Sequence, residues 1–196
     1  MLLLAVIAVL LSYVIGSIPF GLIITRLAGH GDVRKIGSGN IGATNVLRTG
    51  KKSLAILTLL LDAGKGALAV WFIGKEMGGG IFILISAVSV VMGHMFPIWL
   101  KGKGGKGVAT ALAVFAVVIW PLAIIACAIW LATFLLSRIS SLASLLAMVS
   151  VMIAVWFTGH DHLIVTINVI ALAVIIRHKE NIARLLKGEE TAFKKN

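Results

Sequence analysis

Cysteine, acidic residues and proline are all scarce in this chain: one cysteine, seven Asp plus Glu and three prolines in 196 residues. A single cysteine excludes a disulfide scaffold, and Cys127, inside an apolar run, reads as an inert thiol facing lipid or core. Charged residues make up only 13% of the chain, against roughly a quarter in soluble globular domains. Glycine shows no three-residue period, and 60% of the residues are hydrophobic, so the collagen-like and disordered classes fall away as well. What remains is an integral membrane protein. The formal charge of +11 would suit nucleic acid in a soluble chain, but here its meaning depends on the side of the membrane where it gathers.

A helix crosses a bilayer with roughly 20 apolar residues. Residues 1–25 carry no charge before Arg26, so this run lacks the basic start of a cleaved signal peptide and predicts a retained first helix. Further spans are predicted at 53–73, 80–100, 141–157 and 163–177. The long run 108–137 is one tilted helix or two short ones, 108–120 and 121–137, turning at Trp120-Pro121. Basic residues decide between these, because cytoplasmic loops collect them. With two helices there are seven crossings, an outside N-terminus and a cytoplasmic C-terminus. Arg26, Arg34, Lys35, Arg48, Lys51, Lys52, Lys101, Lys103, Lys106, Arg138, Arg177, Lys179, Arg184, Lys187, Lys194 and Lys195 then share the cytoplasmic boundary, and only Lys65 and Lys75 are left over. The expectation is therefore an all-α bundle of seven transmembrane helices, two of them short, forming a single domain over 1–196 with an interfacial tail at 178–196. Trp71, Trp120 and Trp156 fall at the outer interface, where aromatic belts form.

The inner loops hold the chemistry-bearing residues. GSGNIGATNVLRTG at 37–50 offers turning backbone amides and the donors Ser38, Asn40, Thr44, Asn45 and Arg48; a guanidinium that can grip two phosphate oxygens makes Arg48 the best single anion ligand. KGKGGKGVAT at 101–110 sets three lysines among Gly102, Gly104, Gly105 and Gly107 just before a helix, an arrangement suited to an anion through Lys103, Lys106 and backbone amides. It is no Walker loop, because no Gly-Lys pair is followed by Ser or Thr. Asp62 and Lys65, three apart inside a span, read either as functional intramembrane charges or as a buried structural ion pair beside Gly64 and Gly66, whose size suits close helix packing. His94 closes its helix in a packing or capping role. Ser140 and Ser141 are N-caps, extra anion donors, or both. His178, Glu180 and Asn181 place a titratable ring, a carboxylate and an amide within four residues at the membrane surface, a set that can orient a substrate or move a proton. His160-Asp161-His162 reads as solvated loop, and no metal or cofactor is expected.

GSGNIGATNVLR, GHMFPIWLKGKGGKGVAT and RHKENIARLLKG, with GSIPFG at 16–21 and LDAGKG at 61–66, resemble the bacterial acyl-phosphate:glycerol-3-phosphate acyltransferases, the PlsY family. The resemblance spans nearly the whole chain; only Ile139-Ser140 departs, where the family more often has an aromatic and an aliphatic residue. It implies an enzyme of the bacterial inner membrane, active on the cytoplasmic face, that moves a fatty acyl group from acyl phosphate to the 1-hydroxyl of glycerol 3-phosphate and yields lysophosphatidic acid. By position it makes Ser38 and Arg48 essential, Gly102, Gly104, Gly105 and Gly107 a phosphate loop with Lys106, and Ser141, His178, Glu180 and Asn181 further site residues. The partners it implies are the two substrates, membrane lipids and the enzyme that supplies acyl phosphate, with no nucleic acid. No His-x4-Asp and no Gly-x-Ser-x-Gly elbow occurs, which fits direct attack without an acyl-enzyme. The rival classes are an organic-anion transporter or channel and a noncatalytic lipid-binding scaffold.

Overall fold

The protein is described by a computed structural model over residues 1–193. Lys194 and Lys195, counted above with the cytoplasmic basic residues, and the last three positions of the tail lie outside the described residues. Ten α-helices and no strand occur among the described residues: α1 (Leu2–Gly16), α2 (Phe20–Leu27), α3 (Ala43–Val46), α4 (Lys52–Met77), α5 (Ile81–Met95), α6 (Val108–Val118), α7 (Trp120–Ser137), α8 (Ser140–Ala154), α9 (Asp161–Arg177) and α10 (Lys179–Leu186). Five are long and apolar enough to span a membrane, counting α1–α2 together, and the bent pair α9–α10 makes a sixth. At 11 residues, α6 is about 16 Å long, well short of the roughly 30 Å hydrocarbon core.

Hydropathy predicts one first helix over 1–25, whereas the chain breaks at Ser17–Pro19. Proline supplies no N–H, so the helix cannot run through it and a carbonyl upstream loses its donor. At this break the Ile18 carbonyl accepts from the Phe20 amide at 3.1 Å and from Lys65 Nζ at 2.7 Å. Residues 108–137 form two helices, as expected, but the division falls at Ile119 rather than after Trp120. Pro121 lies in the first turn of α7, the place where a missing N–H costs nothing.

The chain divides into two compact units, Met1–Val117 and Val118–Asn196. In the first, α1 packs along α5 so closely that a Cβ at Gly16 would strike the Val90 carbonyl and one at Gly93 the Tyr13 carbonyl. Ser12 Oγ donates to Ser86 Oγ at 2.8 Å across this contact, satisfying two hydroxyls that lipid cannot. Gly66 lies against Thr110 of α6, as its predicted packing role requires, but Gly64 faces open space. In the second unit α7 and α8 form a hairpin whose turn residue Arg138 is left-handed, φ 60°, pinned by Trp130 Nε1 donating to Ser144 Oγ at 3.1 Å. Trp71, Trp120 and Trp156 are exposed, as is Cys127.

Candidate active site

In the first unit, the segment before α4 is organised by one side chain. Asn45, 1% exposed, donates from Nδ2 to the carbonyls of Val33 (2.8 Å), Ile36 (3.1 Å) and Asn40 (2.8 Å), and its Oδ1 accepts from the Ser38 amide at 3.0 Å. Asn40 Oδ1 accepts from the Gly42 amide at 2.8 Å, just ahead of α3. The amides of both asparagines are thus engaged in shaping the loop. The result holds Ser38 and Arg48 at its exposed surface. A Cβ at Gly37 would collide with Asn45 Oδ1 and Arg48 Cδ, so glycine lets the arginine lie along the loop. Upstream, Asp32 accepts from Arg34 Nε and its terminal nitrogen, at 2.9 and 2.6 Å, and from Arg26 at 3.0 Å. These guanidiniums, Arg34 first, hold the Asp32 carboxyl well below the usual carboxylate range. Arg48 forms no ion pair among the described residues, so its charge faces outward.

The glycine-rich segment 101–107 is wound onto the end of α5. The amides of Gly102, Lys103, Gly104 and Gly105 donate to the carbonyls of Pro97, Leu100, Met95 and His94 at 3.0–3.1 Å. Those four amides therefore serve the loop's own shape. The His94 ring occupies the space where a Cβ of Gly105 would stand. Lys101 and Lys103 project into the open, Lys106 is half-buried, and α6 begins directly afterwards. Beneath the loop lies an ion pair, Lys65 Nζ to Asp62 Oδ1 at 2.7 Å, both side chains no more than 3% exposed.

The second unit gathers Ser141, His178 and Asn181, all buried, while Glu180 is exposed on the first turn of α10. His178 sits at the 59° bend between α9 and α10. Its Nδ1 lies 2.8 Å from the Val174 carbonyl; a carbonyl only accepts, so Nδ1 carries a proton and donates it there. Ser141 does not cap α8. Its hydroxyl donates to Glu190 Oε1 at 2.7 Å, and Asn181 Nδ2 donates to the same oxygen at 2.6 Å. Arg184 Nε completes the set on Oε2 at 2.6 Å. Burial opposes the charge on Glu190, but the donors Ser141, Arg184 and Asn181 outweigh it and draw the carboxyl below its usual value. Sequence reading missed Glu190, because GEE at 188–190 carries no signal beyond that of a solvated tail.

The family model for glycerol-3-phosphate acyltransferases matches residues 6–188. The glycerol-3-phosphate acyltransferase of Rhodopseudomonas palustris (strain HaA2) is 51% identical over 184 residues, 94% of this chain and 93% of that protein. The one from Caulobacter vibrioides (strain NA1000 / CB15N) is 52% identical over 188 residues, 94% and 85% of the two chains. The crystal structure of PlsY, an integral membrane glycerol 3-phosphate acyltransferase, in its glycerol 3-phosphate form matches with a TM-score of 0.91 and 39% identity, covering 97% of this chain and 96% of that one. Its lysophosphatidic acid form matches at 0.89 and 38%, over 97% and 95%. With the family model, the sequence relatives and the solved structures all matching over nearly the whole chain, this chain belongs to the glycerol-3-phosphate acyltransferase family of integral membrane proteins.

Proposed function

We propose that the chain transfers a fatty acyl group from acyl phosphate to the 1-hydroxyl of glycerol 3-phosphate, releasing phosphate and 1-acylglycerol 3-phosphate. The observation that carries this reading is the agreement over 97% of the chain with PlsY in its glycerol 3-phosphate form, with both basic glycine-rich motifs intact. An acyl phosphate already holds a good leaving group, so the protein has mainly to position and neutralise two anions. The glycerol oxygen attacks the acyl carbonyl, the bond to the phosphate oxygen breaks, and the hydroxyl proton passes to the departing phosphate. Arg48, Lys106 and Ser141 hold phosphates, with Lys103 and the surface of the 102–107 loop adding to the field. Ser38, His178 and Asn181 orient the nucleophile, and Glu180 stands beside them in the motif. Asn40 and Asn45 contribute by shaping the loop that carries Ser38 and Arg48. For Ser141, holding a phosphate requires its single hydroxyl proton, which donates to Glu190 in the structure, to turn to the substrate.

The same reading sets one acyltransferase domain in the bacterial inner membrane with its site on the cytoplasmic face, near the enzyme that makes acyl phosphate. Purified protein in detergent, given labelled glycerol 3-phosphate with palmitoyl phosphate, palmitoyl-CoA or an acyl carrier protein thioester in turn, is expected to make labelled lysophosphatidic acid from the acyl phosphate alone. Arg48→Ala should lower that rate by about 10²–10³, the usual loss when a positioned charge donor is removed. No product from any donor, with folded protein, overturns the reading and moves organic-anion flux across vesicles to first place. A covalent acyl group trapped on Ser38 or Ser141 overturns the direct attack.

A further inference from the structure

Asp62 lies inside α4, far in sequence from the glycine-rich loop, yet it touches the chain on both sides of that loop. Its carboxylate Oδ1 lies 3.5 Å from Nδ1 of His94, which precedes the loop at the end of α5. Its main-chain carbonyl accepts from Thr110 Oγ1 at 2.9 Å, in the first turn of α6 just after the loop. Lys65 neutralises the carboxylate at 2.7 Å and is itself held by the Ile18 carbonyl at the α1–α2 break. Asp62, Lys65 and His94 are all buried, at 2–4% exposure. The other face of His94 packs on Gly105, whose amide donates to the His94 carbonyl at 3.0 Å.

We propose that the turn of α4 at Asp62, through its main-chain carbonyl toward Thr110 and its carboxylate toward His94, fixes the entry and exit of the 101–107 loop at the spacing the loop needs to hold the phosphate of glycerol 3-phosphate. This rests on the reading of that loop as a phosphate site. The pair Asp62–Lys65 suits the task for a physical reason. A bare buried carboxylate would repel the phosphate above it and would pull on solvent, whereas the lysine cancels its charge and leaves a rigid, neutral post. A loop displaced by an ångström loses affinity for the anion it encloses without changing the chemistry of a bound substrate. The effect therefore belongs in KM for glycerol 3-phosphate.

Thr110→Val tests this, because it keeps the side-chain shape and deletes only the exit tether; Lys65→Met does not, because it strands a buried charge. The full-length protein in detergent is assayed with each substrate varied in turn, beside Thr110→Ser, His94→Asn and Lys106→Ala. Thr110→Val is expected to raise KM for glycerol 3-phosphate about three- to tenfold, the factor carried by one hydrogen bond of this kind, with kcat and KM for acyl phosphate unchanged. Thr110→Ser, which restores the hydroxyl, should return KM to the wild-type value. If Thr110→Val is not recovered folded, His94→Asn carries the same expectation through the entry tether. An unchanged KM in Thr110→Val and His94→Asn while Lys106→Ala raises it overturns the positioning role and leaves the phosphate loop standing. Equal losses for both substrates, or a lower fraction of active protein alone, reduce the cluster to fold stability and overturn it too. An unchanged KM in Lys106→Ala as well removes the phosphate reading itself.

Discussion

Glu190 lies outside every predicted motif, yet two of the predicted site residues, Ser141 and Asn181, donate to its carboxylate. The contact with Ser141 bridges 49 positions, a separation at which no helical or strand period leaves a trace in sequence. Removing the charge should matter more than its tail position suggests, because three donors lose one shared acceptor. Glu190→Gln is expected to lower stability at neutral pH by about 2 kcal/mol, the scale of hydrogen bonds to a charged group. Half-exposed Arg184 adds little beyond that. The sign with pH follows from the direction of the shift. A carboxyl drawn below its ordinary value of about 4.5 gives stability that is fully present above that pH and is lost as pH falls through the folded value. The gap in melting temperature between wild type and Glu190→Gln should therefore narrow as pH is lowered from 7 to below 4.5; a constant gap sinks this account. Asn45 illustrates the opposite case at the same scale. Its residue type and its place in GSGNIGATN mark a hydrogen-bonding residue correctly, while only the folded loop reveals that Val33, Ile36 and Asn40 take up its donors.

At the level of helices, apolar run length was enough to find the spans α4, α5, α7 and α8, because lipid demands little else of them. The same measure is blind to interruptions, because three residues, Ser17-Ile18-Pro19, barely lower the mean hydropathy of so long a run, and so run length did not show the break between α1 and α2. The break matters because its Ile18 carbonyl anchors Lys65. Glycine was legible as a packing residue only in part. Gly64 and Gly66 look equivalent in sequence, and only Gly66 meets a neighbour. This difference has a measurable consequence. Gly93→Ala drives a methyl into the Tyr13 backbone carbonyl, where no flexible side chain can yield, and should cost about 1–3 kcal/mol, the typical range for overpacking. Gly64→Ala adds a methyl in open space and should leave stability unchanged or raise it by up to about 1 kcal/mol, the helix preference of alanine over glycine. Thermal unfolding of the two variants in one detergent checks both; equal losses would mean that the α1–α5 contact is not set by these small residues.

For the whole molecule the most informative property is the distribution of its +11 charge. Basic residues are drawn to the cytoplasmic side of a membrane, so their clustering orients the chain even where helix length does not. Helix length indeed falls short: α6, at 11 residues, crosses only a bilayer thinned around it, and counting long spans alone gives five, or six with the bent pair. Charge and length thus make different claims about the crossings within 108–137, and therefore about which side carries Arg138 and the tail. Seven crossings put Lys51, Lys103 and Lys187 together in the cytoplasm and Lys75 outside. A single crossing there would carry Lys187 across. Single cysteines at these four positions, in a background where Cys127 is replaced by alanine, can be labelled with a membrane-impermeant maleimide in intact cells and in inverted vesicles. Lys51→Cys, Lys103→Cys and Lys187→Cys are expected to react only in inverted vesicles, and Lys75→Cys only in intact cells. Reaction of Lys187→Cys from outside would remove α6 as a crossing and put the motif of His178 and Asn181 on the opposite side from Arg48 and Lys106. On the proposed reaction both substrates are phosphorylated anions that do not cross a bilayer unaided, so such a topology would be incompatible with one site for both. The accessibility of one lysine position therefore decides between seven spans serving a single cytoplasmic reaction and a chain whose basic motifs serve separate faces.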